Sequence, residues 1–193
     1  GSTSRSQEQT DTVTFWTDPT FVQWSRTLRG IANTAQLDLA DSARLFALVH
    51  VAAADTMIAC FEAKYYYNFW RPNHAIQRAD TDGNHKTRPD PAWSHLLAAN
   101  HPEYPSGHSC FTGAYTEALQ TYFHTDRLPL AIESTRFAVG DARRTRSFER
   151  LSDVREDVAD ARVWGGLHFR STVEESSKLG DRIVAHVAAH YFR

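Results

Sequence analysis

The sequence predicts an all-α fold, a compact helical bundle with long loops, and three features carry that prediction. Apolar residues recur at helical spacing, as in Phe21, Trp24, Leu28 and Ile31. A stretch from Ala43 to about Tyr66 is apolar on nearly every side, which predicts a helix in the middle of a bundle. Polar, proline-containing segments separate the helical stretches, and neither a repeat nor an interdomain linker interrupts the chain.

Taken in order, Asp18-Pro19 predicts a helix start, with Asp18 as N-cap and Pro19 at the first helical position. Asp41-Ser42 opens the long apolar helix, which Pro72 stops near Arg71 by disfavouring helical geometry at the preceding residue. Residues 79–92 form a polar loop, Trp93 to Ala99 a short helix, and the stretch from Pro102 to Pro105 extended chain. Ser106 or Gly107 begins a helix that runs to about Phe123. Thr135 to Val139 alternates in polarity and predicts a short extended segment ending at Gly140-Asp141. Ser147 caps a helix carrying Leu151, Val154, Val158 and Ala161 on one face, and Trp164-Gly165-Gly166 breaks it. Ser171 to Glu174 has the pattern of a capping box for a last helix through Ile183, Val184 and Val187.

A chain of 193 residues is long enough to bury a core in one domain. The reading assigns residues 1–11 to a polar tail and 12–193 to a single helical domain. Gly1-Ser2 resembles a scar left by protease cleavage, which leaves room for a targeting segment upstream. The formal net charge of -2 gives no reason to expect nucleic acid. No apolar run is expected to span a bilayer. A soluble chain follows, its compartment open but leaning toward secreted or periplasmic. Cys60 and Cys110 lie in apolar helical stretches and read as buried thiols rather than a bridge. Of 21 basic residues only Lys64, Lys86 and Lys178 are lysines. Lys64 stands in the middle of an apolar helix, an expensive place for an unpaired charge.

Three distant segments supply groups suited to one anion. Lys64 and Arg71 are seven residues apart, which on a helix puts both on one side. Pro105-Ser106-Gly107-His108 precedes a helix whose first N–H groups, with a glycine allowing close approach, make an oxyanion site. Arg162 and His168 flank a glycine pair that lets the backbone turn closely around a ligand. Two forked guanidinium groups, one point-charge ammonium, a hydroxyl, a backbone N–H and two imidazoles match a multiply charged tetrahedral or trigonal bipyramidal oxyanion.

The runs Lys64-x6-Arg71-Pro72, Pro105-Ser-Gly-His108 and Arg162-x5-His168 resemble the three-part signature of the vanadium-dependent haloperoxidases. Type-2 phosphatidic acid phosphatases and bacterial acid phosphatases share that signature. Phe15-Trp16, Asn68-Phe-Trp-Arg-Pro and Trp164-Gly-Gly-Leu-His-Phe-Arg170 extend the likeness to the haloperoxidase branch, from about residue 12 to the end. The resemblance implies the fold of the site-bearing half of such an enzyme and a vanadate cofactor, with phosphate able to occupy the same site. It implies His168 as the vanadium ligand and His108 as the acid–base group. Lys64, Arg71, Ser106, the Gly107 N–H and Arg162 would hold the oxygens, with Lys64 also polarising peroxide. The implied activity is oxidation of halide by hydrogen peroxide to a hypohalous acid equivalent that halogenates small organic acceptors. His101, seven residues before His108, resembles the bromoperoxidase version and favours bromide or iodide.

Two alternatives stay open. One is an acid phosphatase in which His168 attacks phosphorus, and the other is a non-catalytic oxyanion-binding homologue. Two departures from the family bear on the choice. The aspartate that the family often carries four residues after the second histidine is Thr172 here, so a backbone carbonyl or another acid must hold His168. Asp18 is the acid the resemblance offers to support Arg162. The helical bundle that usually precedes the site-bearing half is also missing, which implies a homo-oligomer or a missing N-terminal bundle.

Overall fold

The computed structural model describes residues 4–192, so the reading of Gly1-Ser2 lies outside the described residues. Its elements are α1 (Gln7–Phe15), α2 (Thr20–Thr34), α3 (Leu39–Tyr67), α4 (Pro72–Gln77), α5 (Gly107–Phe123), β1 (Leu130–Glu133), β2 (Thr145–Phe148), α6 (Leu151–Trp164) and α7 (Arg170–Tyr191). The fold is thus all-α apart from one antiparallel hairpin, in which Ala131 faces Ser147. α5 is the central element, packed by α3, α6 and α7. Phe111, Ala114, Tyr115, Ala118 and Leu119 of α5 are buried there against Leu48, Ala52, Val158 and Val184.

The crossing of α5 and α7 is tight enough to require glycine. A Cβ on Gly113 would lie 2.6 Å from the Ser177 carbonyl oxygen, and one on Gly180 only 2.5 Å from the Ala114 nitrogen. The two backbones therefore meet directly.

Several local expectations give way to long-range partners. Residues 7–11, read as tail, form the first turns of α1. Ser6 and Gln9 close a capping box there, and Thr12, Val13 and Phe15 are buried. Asp18 is not a cap: Pro19 holds the N-cap position of α2, and the buried Asp18 carboxylate accepts from the Thr135 N–H at 3.1 Å and hydroxyl at 2.5 Å. α3 starts earlier than Asp41, because Asp38 caps it by accepting from the Asp41 N–H at 2.8 Å. It ends at Tyr67, where Asn68 takes the left-handed conformation. Pro72 then opens α4 instead of merely ending α3.

Trp93 to Ala99 is not helical; Leu96 N–H donates to the Gly165 carbonyl at 3.1 Å and ties the segment to the turn after α6. Thr135 to Val139 holds turns, and the strands lie on either side of it. Ser147 is in β2, while the start of α6 is served by Asp126, which accepts from the Ser152 N–H at 2.9 Å. The capping box at Ser171 does not form, because α7 starts at Arg170 with Phe169 at its N-cap.

α3 departs most from its expected place. Its inner side packs on α5 and α7, but Leu39, Ile58, Tyr65 and Tyr66 on its outer side are exposed. An apolar surface on all sides has nothing in the described chain to cover half of it, so α5 takes the middle instead. Leu39–Gln77 also has the length and composition of a membrane span, unlike the expectation from sequence, although in the fold its inner side belongs to the core. Both cysteines are buried free thiols, as expected.

Candidate active site

The end of α6, the start of α5 and the chain after α3 meet at one cavity of about 170 Å³, lined among others by Arg71, His101, Gly107, His108, Arg162 and His168. Phe21, Met57 and Phe61 add apolar lining to this cavity. Each position has a local cause. Arg162 lies in the last turn of α6. Beyond it Gly166 takes φ +73°, and a Cβ there would meet the Trp93 ring at 2.7 Å. The reversal places His168 just ahead of α7. Ser106 is the N-cap of α5, its hydroxyl accepting from the Ser109 N–H at 3.4 Å and hydroxyl at 3.1 Å. Gly107 and His108 hold the first two helical positions, whose N–H groups have no partner within the helix.

Arg71 does not share α3 with Lys64. It lies in the link to α4, and the turn at Asn68 brings it to the site. Its Nη1 donates to the Leu167 carbonyl at 2.8 Å and to His168 Nε2 at 3.3 Å. Nε and Nη2 reach the His101 carbonyl at 3.2 and 2.9 Å, and Nη2 is 3.1 Å from His101 Nδ1. A guanidinium only donates, so His168 Nε2 accepts, whereas His101 Nδ1 also lies 3.3 Å from the Pro102 carbonyl, which only accepts.

Lys64 is fully buried, and its ammonium donates to the carbonyls of Pro102 (3.0 Å), Glu103 (3.1 Å) and Pro105. All three donors serve the loop ahead of α5, and Lys64 does not line the cavity. Burial lowers its pKa to about 8.

Arg162 is the opposite case. It is buried, yet Nε and Nη1 have no hydrogen-bond partner among the described residues. Burial, then the charge of Arg71, brings its pKa down to about 10. Asp18 does not support it: the Asp18 carboxylate faces Thr135 and Arg26, and Arg162 makes no ion pair among the described residues.

The acid that holds His168 is Glu103, which sequence reasoning missed. Its Oε1 accepts from His168 Nδ1 at 2.9 Å and from the Phe169 N–H at 3.0 Å, and its Oε2 from the Thr172 hydroxyl at 2.9 Å. Burial raises its pKa, opposed by these donors and the charges of Arg71 and Lys64. The three donors around its two oxygens favour the ionised carboxylate. The available signal was an acid inside an otherwise proline- and aromatic-rich loop, in a chain with threonine at 172. Burial, then Arg162, pushes His168 and His108 well below the ordinary histidine value, so both rings are neutral at neutral pH. The Trp16 backbone opposes this shift at His108. His101 is half-buried against Phe61, with ring centroids 5.8 Å apart, and burial lowers its pKa too.

This donor set suits an oxyanion. Among the described residues no group of three or more His, Cys, Asp or Glu is placed to hold a metal cation. The cavity instead gathers cations, helix-start N–H groups, an imidazole lone pair and two orphaned guanidinium donors.

A family model for the second helical-bundle domain of VCPO matches residues 44–193. The chain belongs to the vanadium haloperoxidase family. It is 32% identical over 152 residues to the vanadium chloroperoxidase of Curvularia inaequalis, a match that covers 64% of this chain and 24% of that protein. The crystal structure of a bacterial vanadium-dependent iodoperoxidase superposes with a TM-score of 0.81 at 26% identity, over 95% of this chain and 44% of the other. A holo-type bacterial vanadium-dependent chloroperoxidase gives 0.56 at 28% identity, over 72% of this chain and 33% of the other. This member of the haloperoxidase family thus spans a quarter to under half of the length of these relatives. Its fold matches the second bundle of the family, as the resemblance in sequence implied.

Proposed function

We propose that residues 12–193 form a vanadate-binding helical domain, also able to take phosphate, and that this domain carries the chemistry of a vanadate-dependent haloperoxidase. The proposed reaction uses hydrogen peroxide to oxidise bromide or iodide to a hypohalous acid equivalent that halogenates small organic acceptors. The observation that carries this reading is Arg162: two buried, unpartnered donors beside His168 in a cavity lined by cations. A buried donor without an acceptor costs about 1–3 kcal/mol. A site built around such donors suits a bound anion that completes them.

His168 presents the Nε2 lone pair, because its Nδ1 proton is held by Glu103. Arg162, the Ser106 hydroxyl and the Gly107 N–H are the groups that would hold oxyanion oxygens. Arg71 adds charge and keeps His168 and His101 in register. Lys64 acts through its buried charge, since its donors serve the loop carbonyls. Vanadate when bound supplies a Lewis acid that activates peroxide without changing its own oxidation state. His108, neutral and beside Arg162, is the group that accepts and returns a proton at its ring nitrogen. The apolar lining of Phe21, Met57 and Phe61 suits large, weakly hydrated halides. His101 and the similarity to an iodoperoxidase support bromide or iodide. On the same reading, a second copy or a further helical bundle covers the outer side of α3.

The test is halogenation of a dimedone-type acceptor by the purified chain with peroxide and bromide or iodide, with and without orthovanadate. Vanadate-dependent turnover supports the proposal. Hydrolysis of p-nitrophenyl phosphate, inhibited by orthovanadate and without halogenation, would replace it with the phosphatase chemistry. Anion binding with neither turnover would leave an oxyanion-binding homologue.

A further inference from the structure

We propose that Glu103 is the positioning residue of this site, fixing the tautomer and the aim of His168. The inference rests on the oxyanion reading only in taking His168 Nε2 as the atom that meets the anion. The geometry behind it is closed on every side. The Glu103 side chain is fully buried, a position that a carboxylate holds only when its oxygens are satisfied. Oε1 takes two donors, the His168 ring and the Phe169 N–H, and Oε2 takes the Thr172 hydroxyl. The carboxylate therefore also sits on the first turn of α7, where helix N–H groups favour negative charge.

The backbone of Glu103 is pinned as well. Its N–H donates to the Phe69 carbonyl at 2.9 Å, and its carbonyl accepts from the Lys64 ammonium at 3.1 Å. Lys64 thus holds the main chain from which the carboxylate reaches His168. The ring is gripped from opposite edges, with Nδ1 2.9 Å from Glu103 Oε1 and Nε2 3.3 Å from the Arg71 donor. Arg71 cannot accept, so Nε2 carries no proton and Nδ1 carries the only one. The result is an imidazole locked with its Nε2 lone pair toward Arg71, which lines the cavity with it. The carboxylate behind it adds basicity that the surrounding cations take away.

The test compares wild type, Glu103→Gln and Glu103→Ala by 15N-histidine NMR, with the His168 signals assigned by their absence in His168→Gln. Orthovanadate and phosphate affinities are titrated on the same proteins. In wild type His168 should show the Nδ1–H form alone. Glu103→Gln keeps an acceptor for Nδ1 but loses the charge, so the tautomer should persist while orthovanadate affinity falls about tenfold. Glu103→Ala should mix the two tautomers and weaken affinity up to about a hundredfold. A wild-type ring in the Nε2–H form, or unchanged affinity in Glu103→Gln, would overturn the proposal. Glu103→Gln matches the native side chain in size, so the comparison stands even if Glu103→Ala does not fold. A tautomer that shifts in Glu103→Ala while wild type binds neither anion would leave Glu103 as positioning residue and defeat the oxyanion reading instead.

Discussion

Arg71 Nη1 lies 3.3 Å from His168 Nε2, so a cation addresses the same ring nitrogen that the family reading assigns to the anion. One guanidinium reaches that ring, His101, and the carbonyls of Leu167 and Pro102. Lysine offers a point charge on a flexible stem and cannot span this set. A hydrogen bond to a charged group is worth about 1.5–3 kcal/mol. Arg71→Lys should therefore lower phosphate and orthovanadate affinity about tenfold or more, read by calorimetric titration. Unchanged affinity would show that the fork geometry is immaterial.

Arg162 predicts a trade between stability and binding. In the anion-free protein it is a buried charge with two unpartnered donors. Replacing a poorly compensated buried charge by an apolar side chain of similar volume is often neutral or stabilising by about 1–4 kcal/mol. Arg162→Met should melt at the same temperature as wild type or higher without anion, and should lose the upward shift that phosphate gives wild type. Thermal melts with and without phosphate check both halves. A large fall in the anion-free melting temperature would mean that the charge is already compensated.

Lys64 sets a pH window. Burial lowers it to about 8, against about 10.4 in an unfolded chain. Below about pH 8 both states hold the proton. Between about 8 and 10.4 the unfolded state holds more, so this group makes stability rise with pH across that window. Lys64→Met should be less stable overall, since three carbonyls lose their donor, and should lack this rise. Phosphate affinity moves the other way in wild type and should fall above about pH 8 as the charge is lost. Denaturant melts and phosphate titrations across pH 7 to 10 read both trends.

The crossing of α5 and α7 gives a packing prediction. A methyl group on Gly180 would stand 2.5 Å from the Ala114 nitrogen and 2.8 Å from the Cys110 carbonyl oxygen, both backbone atoms that cannot rotate away. Gly180→Ala should destabilise by about 1–3 kcal/mol or more. Urea unfolding measures it, and a neutral result would mean that the helices separate easily.

What the sequence disclosed was what it encodes locally. The start of α5 was legible because Ser106 is its own cap, and the end of α6 because Gly165-Gly166 follows directly. The three segments of the site were legible from their resemblance to the family signature, although Arg71 reaches the site from the link to α4 and not from α3. The rest depends on partners far along the chain. Asp18 looked like a cap but answers Thr135, 117 residues away. Glu103 stood in the stretch from Pro102 to Pro105 without a role, because its partner His168 is 65 residues further on. Lys64 was rightly read as a buried charge, yet its acceptors are main-chain carbonyls, which no residue type advertises. The outer side of α3 defeats hydrophobicity as a guide, since apolar residues there face outward in the described chain.

The meeting of Gly113 and Gly180 has a bearing on the site itself. His108 lies five residues ahead of one glycine in α5 and His168 just before the helix that carries the other, so the crossing acts as the pivot of a caliper whose jaws are the two imidazoles. Its gap is gauged by main chain against main chain. Side chains elsewhere in the core can change identity without resetting that gauge, and a relative only 26% identical can still superpose at a TM-score of 0.81. A single added methyl at the pivot, by contrast, would open the jaws.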